Sequence, residues 1–130
     1  MKIFILTLMA ILGLSAFAAA QSPDSLEVKA GKQKTASHSK LKIKFISVVE
    51  DSRCPQGAQC VWAGNAKVKV EISSKTDKKT FEFNTGVGPK GDQFGGYAIN
   101  LESLTPSPTT VGKVDPKKYK ARFTVTRLQR

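Results

Sequence analysis

Apolar and polar residues alternate with a period of two through much of the chain. Lys40 to Phe45 reads Lys-Leu-Lys-Ile-Lys-Phe, so Leu41, Ile43 and Phe45 share one face of an extended segment and the lysines take the other. After Phe45 the run Ile46-Ser47-Val48-Val49 is apolar at both parities, which predicts a bulge or cover on both sides before Glu50. Ala66 to Ile72 alternates again, with Ala66, Val68, Val70 and Ile72 inward. A polar cluster from Ser73 to Lys79 follows, and Thr80-Phe81-Glu82-Phe83 returns with both rings in phase, so residues 66–84 predict a hairpin.

Thr85 to Gly96 carries five glycines and one proline and predicts a loop rather than an element. Tyr97 to Leu101 alternates once more, until Thr105-Pro106-Ser107-Pro108 ends that strand. The final alternation places Tyr119, Ala121, Phe123 and Val125 inward, and Ser25 to Lys29 is a shorter strand near the start. No window after residue 20 sustains helical spacing. Short strands with loops between them predict an all-β fold, a small Ig-like β-sandwich of six to seven mostly antiparallel strands.

The first residues break this pattern. Met1 and Lys2 precede an apolar run from Ile3 to Phe17 that closes on Ala18-Ala19-Ala20. A charged start, an apolar centre and a small-residue end together make an export signal, expected to be cleaved after Ala20. A membrane span needs about 20 apolar residues, usually with charged flanks on both sides. The expectation is therefore a leader at 1–20 and one β-sandwich domain at 21–130, without a membrane span, exported to the periplasm or beyond the cell. Cys54 and Cys60 both fall in the exported part and enclose five residues. In an oxidising compartment this pair reads as a disulfide that pins a corner between two strands.

The segment from Glu50 to Ala66 lies between the two best strands and holds both cysteines and the single Trp. Asp51-Ser52-Arg53-Cys54-Pro55, four residues, then Cys60-Val61-Trp62-Ala63-Gly64 resembles a family of exported bacterial proteins with this motif and no assigned activity. The resemblance implies a fold and no chemistry. Trp62 has the parity of Ala66, Val68 and Val70, so its ring is expected to cap the core beneath the bridge. Gly57 and Gly64 suit the tight turns of so short an enclosed loop. Asp51 and Arg53 are placed to pair or to bond backbone groups of the corner. The competing expectation makes Asp51, Arg53, Trp62 and Asn65, beside Glu50, a recognition patch on a rigid rim.

Composition narrows the chemistry. The single histidine, His38, lies in a polar turn, and no nucleophile motif such as Gly-x-Ser-x-Gly is present, so no catalytic residue is assigned and an enzyme is not expected. Adjacent Glu50 and Asp51 point to opposite faces of a strand and do not suit paired-carboxylate chemistry. The cysteines lack the Cys-x-x-Cys spacing of redox sites. Zinc and copper spacings are absent, calcium at Glu50, Asp51 and Asp92 is a minor alternative, and no cofactor is expected. Residues 86–92 lack the Gly-Lys-Ser/Thr ending of a phosphate loop.

The formal net charge of +11 favours polyanions. Lys40, Lys42 and Lys44, then Lys67 and Lys69, then Lys118, Lys120 and Arg122 face away from the core, and would form one positive plane if their strands shared a sheet. Such a plane is either a solvated face whose lysines discourage edge-to-edge pairing or a surface for anionic envelope polymer, and no aromatic interleaves with it as nucleic acid would require. The alternative is an interaction or inhibitor module that presents the clamped loop Pro55–Gln59, or the glycine-rich loop Gly86–Gly96, to another exported protein.

Overall fold

The computed structural model describes Gly13 and residues 23–129, so the expected export leader lies, Gly13 apart, outside the described residues. Eight strands follow: β1 (Asp24–Lys29), β2 (Gln33–Thr35), β3 (Lys42–Asp51), β4 (Ala66–Ser73), β5 (Lys78–Asn84), β6 (Gly91–Phe94), β7 (Tyr97–Thr105) and β8 (Lys120–Arg127). A 3-10 turn at Pro116–Lys118 precedes β8. The strands form two antiparallel four-stranded sheets, β1-β8-β7-β6 and β2-β3-β4-β5, which make a small β-sandwich. Every hydrogen-bonded pair except β1–β8 is consecutive in the chain. The two-layer packing is that of the expected β-sandwich, while the connections are those of a meander rather than the Greek key of immunoglobulin domains.

The alternating segments supply both inner faces. Ile43, Phe45, Val68, Val70, Ile72, Phe81 and Phe83 project from one sheet, and Val28, Ile99, Leu101, Phe123 and Val125 meet them from the other. Complete burial of a side chain such as Phe45 or Phe123 contributes roughly 1.5–3 kcal/mol. Phe81 of β5 and Phe94 of β6 meet edge to face, with centroids 6.2 Å apart, and join the two sheets where those edge strands pass. Among the described residues no helix is long and apolar enough to cross a membrane.

The doubly apolar run after Phe45 does form bulges. The β3–β4 register shifts between Phe45 and Ser47 and again between Val48 and Glu50. Two extra residues put Val48 opposite buried Val68, leave Val49 in solvent and return Asp51 to the inner side opposite Ala66.

Two strands correct the expected count. Residues 91–94, expected as loop, form β6, because the absent side chain of Gly91 allows close approach to the Ile99 carbonyl and to Asn100 of β7. Gln33–Thr35 is wholly exposed and carries no apolar signal, yet it pairs with Lys42–Lys44 as β2.

Candidate functional site

Three connections gather at one end of the sandwich: 52–65 between β3 and β4, 85–90 between β5 and β6, and 106–119 between β7 and β8. Arg53 ties the first to the third. Its Nε donates to Asp51 Oδ1 at 2.9 Å and its Nη2 to Asp51 Oδ2 at 2.8 Å, a bidentate pair. Nη1 and Nη2 also donate to the carbonyls of Leu104 and Pro106, at 2.6 and 2.8 Å. Tyr119 donates its hydroxyl to Asp51 Oδ2 at 2.7 Å. The Arg53 and Asp51 side chains are only 14% and 11% exposed.

Burial alone would raise the Asp51 carboxyl, but the bonds from Arg53 and Tyr119 outweigh it and hold the group below its ordinary 3.8. Burial and the Asp51 carboxylate push the Tyr119 phenol up to about 12. Asp51 and Arg53 are thus occupied inside the molecule. They lock one sheet to the other, which the sequence anticipated only as a pairing at the corner.

Asn65 ties the first connection to the second. Its Oδ1 accepts the Gly86 and Val87 N–H groups at 3.0 and 3.1 Å, and its Nδ2 donates to Asn84 Oδ1 at 2.9 Å. The Asn65 backbone carbonyl accepts from both the N–H and the hydroxyl of Ser52. A Cβ on Gly64 would fall on the Arg53 Cα and the Ser52 carbonyl, so glycine is required there by close backbone approach. At Gly57 the requirement is conformational, with φ at +84°. The expected disulfide joins Cys54 to Cys60, with Cα atoms 5.9 Å apart. Gln56 N–H donates to the Pro108 carbonyl at 3.0 Å and seats the clamped loop against 106–119.

Trp62 departs from expectation. It does not cap the core: it is 67% exposed, and its neighbour Val61 is 93% exposed. Parity carries through a continuous strand, but β4 begins only at Ala66 and the chain bends at Val61 and Trp62. Of the residues considered for a recognition patch, Asp51, Arg53 and Asn65 are bonded internally and Trp62 is presented to solvent. Val87 is 60% and Val111 94% exposed on the other two connections, and sequence reasoning singled out neither. Four exposed large apolar side chains therefore stand on three loops at the same end. An open cavity of about 600 Å³ at this end, which none of the four lines, lies between Val49, Glu50, Arg53, Pro108, Lys113 and Tyr119.

The expected single basic plane is overturned by the topology. Lys42, Lys44, Lys67 and Lys69 lie on β3 and β4, whereas Lys120 and Arg122 lie on β8 of the other sheet. Lys40 sits in the turn before β3, with φ at 61°, and Lys118 in the 3-10 turn. Acids interleave with these cations: Lys44 is in register with Glu71 and Lys69 with Glu82. Lys67 Nζ lies 4.0 Å from Glu82, and Arg122 Nη2 lies 3.3 Å from Glu27.

At the opposite end, buried Asp24 accepts from the Ser37 hydroxyl at 3.1 Å and from the His38 N–H at 3.0 Å. His38 Nε2 lies 3.6 Å from Asp24 Oδ1. The carboxylate closes the turn before β3 onto β1, and Ser37 bonds the acid rather than the imidazole. Among the described residues no group of three or more His, Cys, Asp or Glu side chains gathers as a metal site. Comparison with protein-family models, with curated proteins and with solved structures finds no match for this chain.

Proposed function

We propose that this protein is a non-catalytic binding module acting outside the cytoplasm, which engages its target through the loop end built on the Cys54–Cys60 bridge. The observation that carries this is the exposure of Val61, Trp62, Val87 and Val111 on three loops of a single end, the first of which is hydrogen-bonded to each of the other two. Apolar side chains scattered singly over a surface need no explanation, but these four all stand on the loops of one end of the sandwich, and that shared placement is what points to a contact surface. Preorganisation supports the same reading. The bridge, the Asp51–Arg53 pair and Asn65 hold these loops before any partner arrives, which lowers the ordering cost of binding. Action outside the cytoplasm is supported by the disulfide and by the leader-like residues 1–20.

The test is capture from a cell-envelope fraction by the wild-type protein, by Val61→Ser with Trp62→Ser, and by Lys42→Glu with Lys69→Glu. Loss of capture in the loop variant alone is the expected result. Equal capture by all three overturns the reading. Loss only in the lysine variant would return recognition to the sheet face.

A further inference from the structure

We infer that the target of this loop end is an anionic lipid surface, into whose interfacial layer Trp62 and its neighbouring valines insert. The inference rests on the proposed recognition role of this end and names what occupies it.

Charge is the first reason. Beyond the internally paired Arg53, the three connections carry Lys90, Lys113, Lys117 and Lys118, all exposed. Their single carboxylate is Asp115, and its Oδ1 already accepts the Lys117 N–H at 3.0 Å. The loop end therefore carries four exposed lysines against one carboxylate on the connections that bear Val87 and Val111, with Glu50 exposed at the end of β3, whereas on the two sheet faces acids alternate with lysines. Lysines gathered beside an apolar insertion are drawn to anionic headgroups over about a Debye length.

Shape is the second reason. A protein partner seats an anchor in a pocket that matches it, and the anchors form a contiguous core within a polar rim. Here the apolar groups are separate tips, with Val61 and Trp62 on one loop, Val87 on a second and Val111 on a third. A fluid interface receives such tips at any spacing and needs no matching pockets. Trp is also the side chain best suited to that depth, with an apolar ring and one N–H that can stay hydrated.

Trp62 is the only tryptophan in the chain, so it reports its own surroundings. The experiment adds vesicles of phosphatidylcholine, with and without phosphatidylglycerol, to the full domain and follows tryptophan emission, including quenching by a lipid brominated on its acyl chain. The expected result is a blue shift and quenching with the anionic vesicles. Val61→Ser with Val111→Ser should weaken binding at least about tenfold. Lys113→Glu with Lys117→Glu should weaken it most at low salt, and Lys42→Glu with Lys69→Glu should leave it within about twofold.

Binding without a shift or quenching would mean charge attraction alone and would overturn the inference. So would a shift that depends on protein concentration in the absence of vesicles, which would identify a second copy as the occupant. If vesicles do nothing but envelope capture still requires Val61 and Trp62, the target is a protein, and the recognition reading survives without this inference. If neither responds, both fall.

Discussion

Arg53 holds both carboxylate oxygens of Asp51, two residues before it, while its outer donors reach the Leu104 and Pro106 carbonyls at the end of β7. A pair that is local in the chain thereby becomes the clasp between two sheets. Tyr119, just before β8, completes it by donating to the same carboxylate, so β3 is tied to both β7 and β8 of the other sheet through one ion pair.

Breaking the clasp from one side should cost more than removing it. Arg53→Met leaves Asp51 buried without its cation, and Asp51→Leu strands the guanidinium. Each is expected to lower unfolding free energy by about 3–5 kcal/mol in urea titrations, whereas Arg53→Met with Asp51→Leu should cost clearly less than the sum. Additive losses would mean that the two groups do not act as a pair.

Acid should attack the fold at both ends. Asp24 resembles Asp51: burial would raise it, but the His38 N–H, the Ser37 hydroxyl and the Ser39 N–H outweigh burial and hold it below 3.8. A carboxyl lowered in the folded state stabilises above its unfolded value and loses that contribution as pH falls through its folded one. Stability from these two groups is thus expected to be level above about pH 4 and to decline below it. Asp24→Asn should be less stable at neutral pH and lose less on acidification, which denaturation across the acid range will measure.

Tyr119 works in the opposite direction. Its folded value of about 12 lies above the ordinary 10.0, so its contribution is complete below pH 10 and is lost as pH rises toward 12. Ultraviolet titration of the native protein should show one late phenol that Tyr119→Phe removes. The same variant should show a shallower alkaline fall in stability.

The two glycines of the clamped segment should separate by mechanism. Gly57→Ala meets open space and strains only φ, with an expected loss of about 1 kcal/mol. Gly64→Ala pushes on Arg53 and Ser52 backbone atoms and should cost about 1–3 kcal/mol. Thermal unfolding of both distinguishes them, and equal losses would argue against the close approach.

Opening the bridge should loosen the loop more than the sandwich. Cys54→Ser with Cys60→Ser is expected to cost about 2 kcal/mol, because the enclosed loop is short. Hydrogen exchange should rise over residues 56–63 and stay unchanged in β4 and β8. Protection lost throughout would assign the bridge a larger role than the Asp51–Arg53 clasp.

The alternation of Leu41 to Phe45, Ala66 to Ile72 and Tyr119 to Val125 was enough to state which side chains face the core, because the pleat assigns faces locally and needs no partner strand. The cysteine pairing was legible for the same kind of reason, being a matter of two residues and their compartment. Tertiary structure alone decided what surrounds them. β2 and β6 exist because neighbouring strands offer unpaired backbone groups, which no pattern of apolar residues announces. Trp62 left the core because the ladder stops between it and Ala66. The basic residues divided between two sheets, and the loops of Val87 and Val111 came to the same end as that of Val61, because the meander folds its second half back over the first. Faces follow from each segment's own period, but neighbours follow from chain closure, and the candidate site is made of neighbours.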